Sequence, residues 1–256
     1  MPVTAAAVEP RRAGRELVLE LVFRPLSNLL VPVFERARIP PPAVVLANAA
    51  TGLVAAVVLA QGDLLAAALL LQLKTLLDNV DGALARATDE VTLAGRYLDT
   101  IADLVVNVAL FVALGDVTGQ PVLAAAAFVA LTIVLAVDYN VTELYRESRG
   151  TPTQQPAPTG NTLERALALV YRVVFGPLDR TVRGFSAWRF SEHSPYDDLA
   201  VTVLANLGLT TQLAALGVCL ALGAPSVYLW IALGCLLVPG ALHVRAEMLA
   251  STRRAA

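Results

Sequence analysis

Four aspartates, Asp78, Asp81, Asp99 and Asp103, fall within a stretch of 26 residues that is otherwise strongly hydrophobic. At about 100° per residue, Asp78 and Asp81 lie within about 60° of each other on one helix, and Asp99 and Asp103 within about 40° on the next. Negative charges at such range repel and resist desolvation, so the group calls for cations. Solvated loop carboxylates describe Asp89 and Glu90 better than these four. Hard oxygen ligands in a group of this size suit Mg²⁺ or Mn²⁺.

The elements that position them belong to a membrane. Of 256 residues, 57% are hydrophobic and 16% charged, with a mean hydropathy of +0.65. A soluble domain carries nearer a quarter charged residues, roughly. Six apolar segments of about the length a span requires are predicted at 43–60, 64–86, 92–114, 121–146, 198–222 and 225–246. The fold class expected is therefore an all-α integral membrane protein with six transmembrane helices. The connections 61–63, 115–120 and 223–226 contain no Lys or Arg, whereas the other side carries the arginines, so both termini and the carboxylates are expected on the cytoplasmic side. Residues 87–91 form the short turn that brings the two acidic helices together.

Residues 14–36 place Leu17, Val18, Leu21, Val22, Leu29 and Val33 at helical spacing among charged residues, predicting an amphipathic surface helix. Three divisions follow: 1–42 as a juxtamembrane segment, 43–250 as a membrane domain that includes a cytoplasmic loop over 147–197, and 251–256 as a tail. Within the loop, Thr151 to Gly160 is Pro-rich. Asn161 and Glu164 then predict the N-cap of a second interfacial helix, with Leu163, Leu167, Val170 and Val174 on one row. Its arginines suit anionic headgroups or simply the positive-inside pattern. Residues 1–16 have no apolar core directly after their arginines, so no cleavable signal is expected. The Ala- and Arg-rich composition points to a high-GC bacterial genome and its inner membrane. Cys219 and Cys235 read as packing residues, Trp188 and Trp230 as interface anchors, and His193 and His243 as structural. Lys74, the chain's only lysine, lies one turn before Asp78. It is expected to offset negative charge or to pair with an intramembrane carboxylate such as Asp138.

Asp78, Asp81, Gly82, Ala85, Arg86, Gly95, Asp99 and Asp103 have the spacing D-x2-D-G-x2-A-R-x8-G-x3-D-x3-D without departure. This pattern resembles the signature of the CDP-alcohol phosphotransferase (CDP-alcohol phosphatidyltransferase) family, as do the six-span layout and the preceding surface helix. The resemblance implies transfer of a substituted phosphate from a CDP-alcohol, most commonly CDP-diacylglycerol, to an acceptor alcohol with release of CMP in phospholipid synthesis. It further implies that Asp78, Asp81 and Asp99 bind metal and that Asp103 is the general base. Two ions about 4 Å apart suit a displacement at phosphorus, and whether Asp103 also touches a metal is left open.

Gly82, Ala85 and Gly95 fit a nucleotide packing between the helices or ordinary helix packing. Arg86 fits a phosphate contact or the membrane boundary. Asn48 and Thr51 form a polar pair that resembles nucleotide-proximal positions of the family. For the acceptor, position alone offers Asn107, Asp138, Tyr139, Asn140, Glu143, Arg146 and Asn206. Membrane lipids and a possible homodimer are the expected partners, and nucleic acid is not. An ion or proton carrier would not require the glycines and Arg86 at fixed offsets. A membrane prenyltransferase would carry its two acidic motifs much farther apart.

Overall fold

Helix starts and stops follow local chemistry throughout. The computed structural model describes residues 14–153, 155–189 and 196–255, and among these no strand occurs. A π-helical turn, Leu19–Phe23, runs into α1, Arg24–Arg36. Proline at the first helical position opens α2, Pro41–Ala60, and α5, Pro121–Ser148, where its missing N–H costs nothing. The Asp63 carboxylate accepts from Ala66 N at 3.0 Å and starts α3, Leu64–Ala87. The Thr92 hydroxyl does the same for Gly95 N in α4, Leu93–Thr118. Gly119, at φ 66°, ends α4 in the left-handed conformation that glycine adopts freely. Next come α6, Thr162–Val174; α7, Gly176–Arg189; α8, Asp198–Ala205; α9, Leu209–Ala221; α10, Pro225–Cys235; and α11, Leu237–Ala255. The expected Asn161 cap of α6 is present, with Glu164 N donating to Asn161 Oδ1 at 2.7 Å. Glu164 turns back to Thr159 and Gly160, whose donors hold its carboxyl below the usual range.

Among the described residues, four helical stretches are long and apolar enough to cross a membrane: α2, α4, α5 and Pro225–Met248, which joins α10 to most of α11. A fifth appears if α8 and α9, bent by 43°, count as one. The segment predicted at 198–222 is thus broken rather than continuous. The break is tied from outside: Asn206 Nδ2 donates to the Arg15 carbonyl at 2.6 Å, and Leu17 N donates to Asn206 Oδ1 at 2.9 Å. Asn206 therefore fastens the N-terminal segment to the bundle. The segment predicted at 64–86 forms one helix, α3, whose charged residues Lys74, Asp78 and Asp81 set it apart from the apolar four.

α3 lies against α1, α2 and α9, and α4 against α2, α5 and α6. The main core interlocks Leu59, Leu71, Leu110, Leu216, Leu220 and Leu229 from α2, α3, α4, α9 and α10. A Cβ at Gly52 of α2 would lie 2.5 Å from Val106 Cγ1 of α4 and 3.3 Å from Lys74 Cγ of α3. This glycine sets the approach of the two acidic helices to α2. Gly52→Ala is expected to destabilise by about 1–3 kcal/mol through overpacking, read as a lower Tm in detergent.

At the start of α8, Asp197 receives two guanidinium N–H groups from Arg245 of α11 at 2.8 and 2.7 Å. This bidentate hydrogen bond holds the Asp197 carboxyl down to about 2 from its ordinary 3.8. A carboxyl lowered by folding contributes stability above its unfolded value and loses it as pH falls through the folded one. Acid unfolding of Arg245→Gln should accordingly lack the stability change that the native protein undergoes between about pH 4 and about pH 2. The pair is partly exposed, so the effect is small. His193 and the side chain of Trp188 lie outside the described residues, as do Arg11 and Arg12. His243 contacts Glu247 and Tyr196, in keeping with a structural role, and Trp230 is exposed.

Candidate active site

The site is built on the hairpin of α3 and α4. Asp89, at φ 57°, turns the chain in the left-handed region that Asp tolerates better than most residues, and Thr92 restarts the helix. The return of α4 after this turn, with α2 packed against both acidic helices, brings carboxylate oxygens of Asp78, Asp99 and Asp103 within 4.8 Å of one another. Asp81 stands outside this trio, on the next turn of α3. Asp81 Oδ2 and Asp99 Oδ1 are buried and accept no hydrogen bond among the described residues. Carboxylate oxygens left this way are costly unless a cation meets them. The donor set, oxygens only and in surplus of negative charge, fits a divalent hard cation.

Lys74 supplies part of the compensation. Its side chain is fully buried, with Nζ 2.6 Å from Asp103 Oδ1 and 3.4 Å from Asp78 Oδ1. Of the two roles expected of it, the offset of negative charge is the one these contacts bear out. Asn48 Nδ2, also buried, donates to Asp78 Oδ1 at 2.9 Å. Asn48 thus orients an acidic residue, while its neighbour Thr51 donates to its own helix at Ala47 O.

The signature glycines are not explained by helix packing. A Cβ at Gly82 would meet Arg86 Nη1 at 3.4 Å, and one at Gly95 would meet Thr92 Oγ1 at 3.1 Å. Among the described residues, no other helix comes within 4 Å of a Cβ at either position, in contrast to Gly52. Arg86 folds back beside Gly82, one turn below it, and Ala85 is half-buried.

Beside the trio, α4, α5, α6, α7 and the start of α9 line a cavity of about 290 Å³, with Asp99, Asp103 and Asn107 on its wall. Of the acceptor candidates, Asn107 and Tyr139 are on its wall. Asp138 and Arg146 are not, and Arg146 donates instead to Thr153 Oγ1. Asn140, fully buried, joins α5 to α7: it donates to Asp179 Oδ1 at 3.0 Å and accepts from Arg183 Nε at 3.1 Å. Other lining residues were not singled out from the sequence. Arg96 and Thr100 extend the face of Asp99 and Asp103 at spacings of three to four residues, so that signal was present. Tyr97, Tyr171 and Phe175 stack with ring centroids 5.2 Å apart in each successive pair, and the Tyr171 hydroxyl donates to Asp179 at 3.2 Å. Burial and the Asp179 charge push the Tyr171 hydroxyl pKa up. The Tyr171–Phe175 pair is local, four residues apart, whereas its meeting with Tyr97 is created by the packing of α6 on α4.

An all-helical protein with apolar helices of membrane-crossing length and an acidic trio at one hairpin is thereby defined. A family model for CDP-alcohol phosphatidyltransferase matches residues 39–238. The chain belongs to that family, which makes it a transferase that takes a phosphate-linked group from a CDP-alcohol. No curated protein and no solved structure matched.

Proposed function

We propose that this protein transfers a phosphatidyl group from CDP-diacylglycerol to an acceptor hydroxyl, releasing CMP, with Mg²⁺ or Mn²⁺ held by Asp78, Asp81 and Asp99. The observation that carries this reading is the convergence of Asp78, Asp99 and Asp103 beside buried, unbonded carboxylate oxygens, in a chain of this family. Two ions are the proposed complement; when bound, they would neutralise the diphosphate and stabilise charge on the entering and leaving oxygens.

The chain's own groups do the rest. Arg86 binds a donor phosphate, and the bare backbone at Gly82 and Gly95 leaves room for the nucleotide to lie close. Asn48 and Lys74 fix the Asp78 carboxylate. Lys74 grips Oδ1 of Asp103, leaving the second oxygen to take the acceptor proton. The acceptor oxygen bonds to phosphorus as the bond from phosphorus to the CMP oxygen breaks, and CMP departs with that electron pair.

In the membrane, α3 is proposed to cross with the apolar helices, its charges turned to the bundle interior, and the bent pair α8 and α9 to complete six spans. The exposed Leu17, Leu21, Leu29 and Val33 suit a segment that lies on the bilayer surface. The domain limits 1–42, 43–250 and 251–256, the cytoplasmic active site and the bacterial inner membrane are proposed with it. Purified protein is expected to release CMP from CDP-diacylglycerol only when an acceptor alcohol is present. Cation or proton flux in proteoliposomes without CMP release would favour a carrier instead.

A further inference from the structure

The α4 face that bears Asp99 and Asp103 continues through Asn107, and the cavity follows it. No residue of α2 or α3 lines this cavity, although those helices carry Asn48, Asp78, Gly82 and Arg86. Displacement at phosphorus sets the entering oxygen opposite the leaving one. A nucleotide held on α3 therefore leaves the α4 side, and this cavity, to the acceptor.

The walls indicate what kind of acceptor fits. Beyond Asp103 they are Leu104, Phe128, Leu131, Leu135 and Leu209. Thr132, at the same depth, spends its hydroxyl on the Phe128 carbonyl. Asn107 is 7% exposed and makes no hydrogen bond among the described residues, so its amide is available to a ligand. Toward the α6 end, Arg96 is the one cation among the described lining residues. Asp179 lines the same end, its oxygens held by Asn140 and Tyr171 rather than by a cation. Away from the carboxylates, a second phosphate on the acceptor would find Arg96 as its one cationic partner among the described lining residues, while the rest of the wall is largely apolar. Hydrocarbon against the leucine walls gains about 25 cal/mol per Å² buried.

We infer that the acceptor is a lipid alcohol, a conclusion that rests on the phosphotransfer reading above and names its acceptor class. The hydroxyl sits at Asp103, the Asn107 amide donates to an ester or ether oxygen near it, and the hydrocarbon lies along Leu104, Phe128, Leu131 and Leu135. The hydroxyl proton passes to Asp103 as the new oxygen–phosphorus bond forms and CMP leaves.

The test uses the full chain in detergent with Mg²⁺ and CDP-diacylglycerol, reading CMP. Monoolein, diacylglycerol and phosphatidylglycerol are compared with glycerol, inositol and their phosphates. A lipid alcohol is expected to support release. Ala136→Phe, which narrows the cavity away from the carboxylates, should raise the KM of that acceptor by about tenfold while leaving the donor KM unchanged. Leu135→Trp is the second variant, and a methyl ether of the lipid alcohol should inhibit the native protein competitively against the acceptor, a readout that needs no variant. Release with a water-soluble acceptor and none with any lipid alcohol would overturn the acceptor class while leaving the transfer reaction intact. A raised donor KM in Ala136→Phe would assign the cavity to the donor's chains and overturn it as well. No release with any acceptor would remove the phosphotransfer reading and this inference together.

Discussion

Asp99→Asn is expected to lower acceptor-dependent CMP release by about a thousandfold or more, about 4 kcal/mol of transition-state stabilisation at roughly 1.4 kcal/mol per decade. The change keeps the shape of the side chain and removes its charge. Asp99 belongs to the converging trio, and its Oδ1 is buried without a hydrogen bond. Without divalent ions, that charge only adds to the repulsion among four carboxylates. The variant should therefore melt at the same temperature as the native protein in chelator, or higher, while gaining less from Mg²⁺. Loss of activity with unchanged or improved metal-free stability separates a ligand from a packing residue. An Asp99→Asn protein as active as the native one would remove Asp99 from the site.

Lys74→Met should have the opposite signature. The ammonium is fully buried against Asp103 and Asp78, and Met replaces its stem with similar volume but no charge. Removing one partner of a buried ion pair costs about 3–5 kcal/mol. In chelator the variant is expected to melt well below the native protein, and saturating Mg²⁺ or Mn²⁺ should recover much of the difference, because another cation then meets the carboxylates. The Mg²⁺-induced rise in Tm should be larger in Lys74→Met than in the native chain. Equal rises in the two proteins would show that Lys74 is not a counter-charge to the metal-binding carboxylates. Its placement also explains why Gly52 matters: a side chain there would press on the Lys74 stem and on Val106 together.

The acidic hairpin was legible in the sequence because its information is local. Helical spacing put each pair of aspartates on one face of its helix, residues 87–91 were expected as the turn between the two helices, and the eight-residue pattern named the family. Asn161 was likewise readable, since a cap acts within one turn. Lys74 was half legible. Its contact with Asp78 is four residues along one helix, whereas its closer contact with Asp103 depends on how α4 aligns with α3.

The break between α8 and α9 was not legible at all. Hydropathy runs on through Asn206, Leu207 and Gly208, and the bend is fixed by hydrogen bonds to Arg15 and Leu17 from the far end of the chain. Asn140 and Arg146 looked like acceptor groups because polar residues near an active site resemble one another in sequence. Only the packing of α7 on α5 and the position of Thr153 show that their side chains are committed elsewhere. Asn107 differed by one fact, that nothing in the described structure satisfies its amide.

The most direct measurement is CMP release from CDP-diacylglycerol by the purified native chain, with a competent acceptor alcohol, before chelation, after chelation, and after Mg²⁺ or Mn²⁺ is restored. The account predicts acceptor-dependent release that stops on chelation and returns with either ion. Release that continues undiminished after chelation would contradict the assignment of Asp78, Asp81 and Asp99 to a metal-dependent phosphotransfer site.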